Sequence, residues 1–329
     1  MNVISSNTKK ILELSAITGV GAKTLNSLKN LPDFSAMTTK ELINLVPSLD
    51  NKINKLSDLY DFAEKQISFG ETLSHTIISQ FDDVYPKNLM GLEDAPALLY
   101  CSGDVSILNK KCISVIGTRE PTEHGKIFAK NISKWFVSNG WNIVSGLAKG
   151  IDTIAHESCL NSNAKTIAVL AHGLGSKVYP AENRGLAQKI IQDGGVLLSE
   201  YPYGSSIFKT NFVQRDRIQA GLSAAVFLIQ SDISGGSLHA SRAILKYKRP
   251  LVVTGQSSKD RKNNEPKIQA NLGLLYGEDN DIRNILKLDH IDRNLILKMF
   301  TSKDYFSIEK LIENLAKKND VNYSQQFDF

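Results

Sequence analysis

Apolar positions along the chain change their spacing twice. Between residues 10 and 31, Ile11, Leu12, Leu14, Ile17, Leu25 and Leu28 mark two short helical faces interrupted at Thr18-Gly19-Val20-Gly21, which predicts a helical hairpin. Helical spacing returns over 39–46 and 56–66, so a small helical unit is expected to end near Phe69-Gly70. Beyond Leu99 the pattern becomes short β-branched runs alternating with amphipathic stretches. Strands are predicted at 113–116, 142–144, 166–170, 196–199, 224–229 and 250–253, with five helices between them. That is the form of an α/β protein with a parallel sheet and crossover helices. After about Asn280 the spacing is helical again, over 282–286, 293–300 and 307–315, while 323–329 shows no periodicity. The expected division is a helical domain at 1–70, the sheet domain at 71–285 and a helical tail at 286–329.

Composition narrows the class. With 42% hydrophobic and 22% charged residues, disorder as the main state is excluded. Lys plus Arg number 39 against 34 for Asp plus Glu, a net +5 that permits a polyanion partner without requiring one. Cys101, Cys112 and Cys159 are odd in number and contain no C-x-x-C pair, so neither a disulfide framework nor a zinc-thiolate site is expected and a reducing compartment is. No apolar run approaches the roughly 20 residues of a membrane span, and the opening MNVISSNTKK lacks a signal-peptide core. A cytoplasmic protein with no membrane partner is the expectation.

The candidate chemistry gathers where strands end. Gly117, Gly146, Gly173 and Gly255 follow predicted strands, the edge where open α/β sheets bind ligands. Gly117-Thr118-Arg119 sets small residues and a cation before a helix starting near Glu123, an arrangement suited to phosphate. It is not G-x-G-x-x-G, and no acidic residue follows the second strand in the ribose-binding role, which disfavours a dinucleotide-dependent dehydrogenase. In the second loop Ser145, Gly146 and Lys149 could meet an anion, whereas Asp152 and His156 are read first as a helix cap and a satisfied helix-face residue. Asn183 and Arg184 are read as closing a helix's first turn.

Phe212 with Arg215 and Arg217 could stack a base and hold phosphate, though a buried aromatic with paired charges at a helix start is an equal alternative. Ser231 to Arg242, including Gly235, Gly236 and Ser237, again sets small polar residues before a helix. The Gly19-Gly21 turn resembles a helix-hairpin-helix element, or an ordinary αα-hairpin, and Ala22 prevents a P-loop reading of Ala22-Lys23-Thr24. There is no H-E-x-x-H, G-x-S-x-G, Walker A sequence or metal-spaced carboxylate cluster. The sequence therefore displays binding groups and little catalytic equipment: no enzyme, no metal and no cofactor is expected.

Seven strings in order, IGTR (116–119), VSGLAKGIDTIAH (144–156), TIAVLAHGL (166–174), YPAENRGLA (179–187), LLSEYPYG (197–204), NFVQRDRIQAGLS (211–223) and SGGSLHAS (234–241), resemble the DNA processing protein A (DprA/Smf) family. The segment 84–104 is similar to what precedes that family's first strand, so the resemblance covers about 84–277. It implies an extended Rossmann-like domain that binds single-stranded DNA, dimerises, and loads the recombinase RecA during natural transformation, without being an enzyme. It also implies that Gly117, Thr118, Arg119, Ser145, Gly146, Lys149, Phe212, Arg215, Arg217 and Ser237 form the DNA-binding set. An N-terminal sterile-alpha-motif or helix-hairpin-helix fold is common there, and 286–329 could supply part of a truncated winged helix. This chain departs from the family at Asp216 (usually Asn), Gln230 (usually Glu), His239, Ser241 and Thr254. The related Lonely Guy-like superfamily gives the alternative: a nucleotide-ligand sensor or phosphoribohydrolase.

Overall fold

The computed structural model describes residues 4–46 and 55–327. Nine strands form one sheet: β1 (Thr76–Ser79), β2 (Leu98–Gly103), β3 (Cys112–Ile116), β4 (Asn142–Ser145), β5 (Thr166–Val169), β6 (Val196–Ser199), β7 (Val226–Leu228), β8 (Leu251–Thr254) and β9 (Ile296–Met299). Their order is β1-β2-β6-β5-β4-β3-β7-β8-β9. From β6 to β9 every pair is parallel, and β1 and β2 close the β6 edge antiparallel. Strands β3 to β8 are buried on both faces, as parallel strands covered by helices must be. Because β4 and β7 both pair with β3, the chain reverses its direction of sheet growth there, the point at which open α/β sheets leave a crevice.

The helices are α1 (Ser6–Ser15), α2 (Ala22–Ser27), α3 (Thr39–Leu45), α4 (Leu56–Leu73), α5 (Glu123–Ser138), α6 (Ile151–Leu160), α7 (Arg184–Gln192), α8 (Lys209–Leu222), α9 (Leu238–Lys246), α10 (Ser258–Lys262), α11 (Gln269–Tyr276), α12 (Asp279–Leu286) and α13 (Tyr305–Phe327). They begin where capping chemistry permits. Thr122 accepts from the Gly125 N–H to open α5, and Thr38 with Glu41 makes a capping box for α3.

Strand alternation divides the core between two faces. In β2, Leu98 and Tyr100 join the core of the N-terminal helices, while Leu99 and Cys101 join the opposite one. The N-terminal helices thus share their core with Leu170, Ala187, Ile190 and Leu197 of the sheet layer. Gln66 reinforces this contact, its amide both donating to and accepting from the backbone of Tyr203.

All six predicted strands are present. The helical hairpin forms as α1 and α2, with Asn26 donating to Ala95 O, and α4 continues past the expected end at Gly70 to Leu73. Helices are found at 39–45 and within 279–286, as the spacing suggests, and the helix expected at 307–315 runs from 305 to 327, beyond the periodic stretch and through residues 323–327. The expectation for 293–300 is corrected: Arg293–Leu295 is a single 3-10 turn and β9 follows, pairing with β8 and anchored by the Gly255 N–H on Met299 O. The run LILKMF satisfies either periodicity, and an unpaired edge at β8 decides for the strand. Helix α13 then lays Tyr305, Ile308 and Ile312 into the core with Phe136, Phe227 and Val252. All three cysteines are free and buried.

Candidate nucleic-acid interface

The carboxyl end of β3 runs into a turn with little freedom. A Cβ on Gly117 would lie 2.7 Å from Ile151 Cγ1 and 2.9 Å from Gln230 O, so the backbone passes there only as glycine. Thr118 is held from both sides, its N–H donating to Gln230 O and its carbonyl accepting from the Ile151 N–H. Gly150, at φ +76°, makes the second contact possible: a Cβ there would meet Thr118 O at 2.5 Å. The turn delivers Arg119 to the surface, its guanidinium 6.0 Å from the Phe212 ring centroid. Phe212 in turn meets Tyr179 edge to face at 5.6 Å.

Around this cation and ring the surface is basic and apolar together. Tyr179, Ile207 and Phe208 are 47%, 44% and 63% exposed. Beside them a cavity of about 470 Å³ is lined by Lys149, Lys177, Tyr179, Arg184 and Ile207. Lys149 and Glu182 form an exposed ion pair at its rim, which screens easily. Exposed rings beside cations, reached by glycine turns, can stack bases and hold phosphates.

The rest of the expected set lies elsewhere. Arg215 is 5% exposed; its Nη1 donates to Gly146 O and Val169 O, tying the ends of β4 and β5 together. It fills the space of the missing Gly146 Cβ, which would stand 2.1 Å from Nη1. Arg217 turns away to Glu200, 2.6 Å distant, with both side chains 16% exposed. The reason is helical geometry: two residues apart on α8 means about 200° around the axis. Ser145 is interior, its hydroxyl donating to Val115 O, and Ser237 donates to Ser231 Oγ. Thus Arg119, Lys149 and Phe212 share the exposed region, whereas Arg215 and Ser145 build its floor. Sequence reasoning left Lys177, Tyr179 and Phe208 out of the set; the concentration of aromatics at 179, 201, 203, 208 and 212, in two consecutive strand-end loops and the first turn of α8, was the available signal.

Interior charges support this floor. Asp152 accepts from the Gly146 and Ala148 N–H groups, fastening the second loop rather than capping its own helix. Burial pushes its carboxyl up, against the Arg215 charge. Asp216 accepts from Arg215 Nε at 3.1 Å and Gln219 Nε2 at 2.9 Å. Burial raises it to about 7 despite Arg215. His156 is buried and structural. The Thr166 hydroxyl spends its proton on Ile143 O, so His156 Nδ1 must donate to Thr166 Oγ1. Burial, with Arg215 nearby, lowers its pKa to about 3, keeping it neutral. Asn183 does more than close a turn: its amide donates to Leu147 O, Ala148 O and Thr153 Oγ1. Gln230 uses both halves of its amide, accepting from the Thr122 N–H and donating to Thr122 Oγ1 and Gln256 Oε1. A carboxylate there could not donate. Among the described residues no cluster of three or more His, Cys, Asp and Glu could hold a metal ion.

A mostly parallel sheet with a crevice at its central strand, glycine turns over a buried arginine, and an exposed cation–aromatic surface define a Rossmann-like protein with a candidate ligand edge at the carboxyl ends of its strands. Comparison with known proteins makes the class particular. Residues 76–283 match the family described as DNA recombination-mediator protein A, and the chain belongs to that family. It is 35% identical over 215 residues to protein Smf of Synechocystis, covering 64% of this chain and 52% of that protein. With the DNA processing protein DprA of Bacillus subtilis it shares 38% identity over 168 residues, 51% of this chain and 56% of that one. The chain therefore spans about half the length of the curated relatives it matches. Among solved structures, DprA of Streptococcus pneumoniae matches with a TM-score of 0.63 at 25% identity, over 82% of this chain and 98% of that one. DprA of Helicobacter pylori, described for its single-stranded DNA binding mode, matches with a TM-score of 0.56 at 28% identity, over 75% of this chain and 97% of that one.

Proposed function

We propose that this chain is a single-stranded DNA-binding recombination mediator that protects incoming DNA and loads RecA during natural transformation, working as a homodimer and without catalysis. The observation that carries the reading is Arg119 over Phe212 beside exposed Tyr179, a cation and stacking faces at the carboxyl edge of the sheet. Family membership and the single-strand binding described for the Helicobacter pylori protein support it.

Fluorescence anisotropy of labelled oligo-dT at several salt concentrations tests it. Arg119→Ala should weaken binding and lower the salt slope by about 0.7, the loss of one phosphate contact on a single strand. Phe212→Ala should cost about 1–3 kcal/mol for one stacked base. Affinity and slope unchanged in folded variants would remove the site from consideration. RecA filament assembly on the same oligonucleotide should speed up with wild-type protein, and sedimentation should give twice the chain mass. Base release from a nucleoside monophosphate, abolished by Arg119→Ala, would replace the mediator with a phosphoribohydrolase.

A further inference from the structure

A second basic surface lies at the opposite end of the sheet. A groove of about 2070 Å³ runs along the amino ends of β3, β4, β7 and β8, bordered by Cys112, Trp141, Ala224 and Pro250 and extending from α2 to α13. About 20 Å of extended chain separates Lys111 at its floor from Gly117 at the other edge. Its size exceeds the roughly 300–1,000 Å³ of small-molecule pockets, which suits a polymer.

Charge identifies the polymer. Ten Lys and Arg line the groove against three Asp and Glu, a surplus of seven, or six once Glu200, the partner of Arg217, is set against it. The whole chain has 39 against 34, leaving 29 cations and 31 carboxylates outside the groove. The positive balance of the chain is therefore located here, and the remainder is slightly acidic. Lys87, Lys110 and Lys246 are exposed, and none has a carboxylate within ion-pair distance among the described residues. Lys23, on the first turn of the second hairpin helix, brings the N-terminal helices to the rim.

The groove offers no large exposed hydrophobic anchor to a protein partner. None of the exposed large hydrophobic side chains of the described residues lines it, whereas Tyr179 and Ile207 line the carboxyl-edge cavity. Interface cores are depleted of charge, and a lining with ten Lys and Arg suits a polyanion better than a protein interface. Trp141 is 3% exposed with its N–H on Glu309, so it offers no face for stacking a base, and Tyr247 is half-buried with its hydroxyl held by Asp94. We infer that this groove is a second DNA track, which holds the phosphodiester backbone without reading or stacking bases and so accepts duplex as well as single strand. It goes beyond the single-strand site, and its charges are separate from Arg119 and Phe212.

The test uses the full chain with Lys87→Ala, Lys110→Ala and Lys246→Ala combined, three exposed positions whose loss should leave the fold intact. Anisotropy with a labelled 16-base-pair duplex should show at least a tenfold loss at 50 mM salt and a salt slope shallower by about 2.7, three contacts at about 0.9 each. Arg119→Ala should leave duplex affinity unchanged. Phe212→Ala read against oligo-dT reports the other surface, because the groove makes no stacking contact with a base, so failure of one assignment is distinguishable from failure of the other. No duplex binding by wild-type protein, or equal duplex binding by the triple variant, overturns the inference. Displacement of the duplex by poly-L-glutamate as readily as by DNA of equal charge also overturns it, in favour of an acidic polypeptide.

Discussion

Asp216 carries an electrostatic tension in the floor of the carboxyl-edge site. Its carboxyl is 13% exposed and titrates near 7, far above its ordinary 3.8, because burial outweighs the Arg215 charge. The folded chain therefore binds this proton more tightly than the unfolded chain, so stability falls as pH rises from about 4 to 7 and the cost is complete above that. At about 1.4 kcal/mol per pH unit, the penalty at pH 8 is on the order of a few kcal/mol. Asp216→Asn keeps an acceptor for Arg215 and Gln219 and removes the charge. Thermal melts should show the variant several degrees above wild type at pH 8, with the gain shrinking steadily toward pH 4; a difference independent of pH would contradict this account. His156 works the other way. Its depressed pKa means the unfolded chain takes up the proton first, so its contribution is lost as pH falls below about 6.5. The residue pattern at α8 was legible as two arginines and an aromatic, but which arginine faces water depends on the helix's rotation against β4 and β5.

At the scale of elements, α13 shows how a tail in the sequence becomes part of the core. Its Glu309 accepts from the Trp141 indole, Tyr305 meets Trp135 at 5.5 Å between centroids, and Ile312 is fully buried. Both tryptophans of the chain thus report on this one helix. Ile312→Ala should cost about 2–5 kcal/mol in urea denaturation, with a red shift of tryptophan emission at denaturant concentrations where wild type is still native. A dispensable tail would show neither. The same region marks the limit of pattern reading. Strands β3 to β8 announce themselves because burial on both faces leaves uninterrupted apolar runs between helices. β9 is four residues of half-buried pattern, and β1 and β2 are antiparallel, with no crossover helix to set them off. Nothing local distinguishes such strands from loops or helices; their partners do.

For the whole molecule, every strand of the parallel sheet serves two helix layers, which makes the layers depend on each other. Cys101 and Cys112 lie in the core on one face and Cys159 in the core on the other, all at 0–1% exposure. Burial raises all three thiols, Cys112 and Cys159 to about 12. An aromatic disulfide reagent at pH 8 should leave the native protein unmodified, and in urea all three thiols should label at one rate. Early labelling of Cys159 alone would show that the α5–α6 layer opens by itself. Charge at this scale was the least legible property. A net +5 says nothing of place, and only the fold gathers ten cations along the amino ends of the strands while leaving the carboxyl edge its few exposed cations and rings.

Strand β3 is the first of the parallel strands in the chain and the centre of the finished sheet, flanked by β4 and by β7, which begins roughly 110 residues after β3 ends. During synthesis at roughly 5–20 residues per second, one side of β3 therefore has no partner for several seconds after it leaves the ribosome. A nascent chain stopped before Val226 would present this apolar strand as an open edge. For this protein, translational pausing between β6 and β7 is a period of exposure to mispairing, and the Gly117 turn acquires its second wall only once Gln230 has been synthesised.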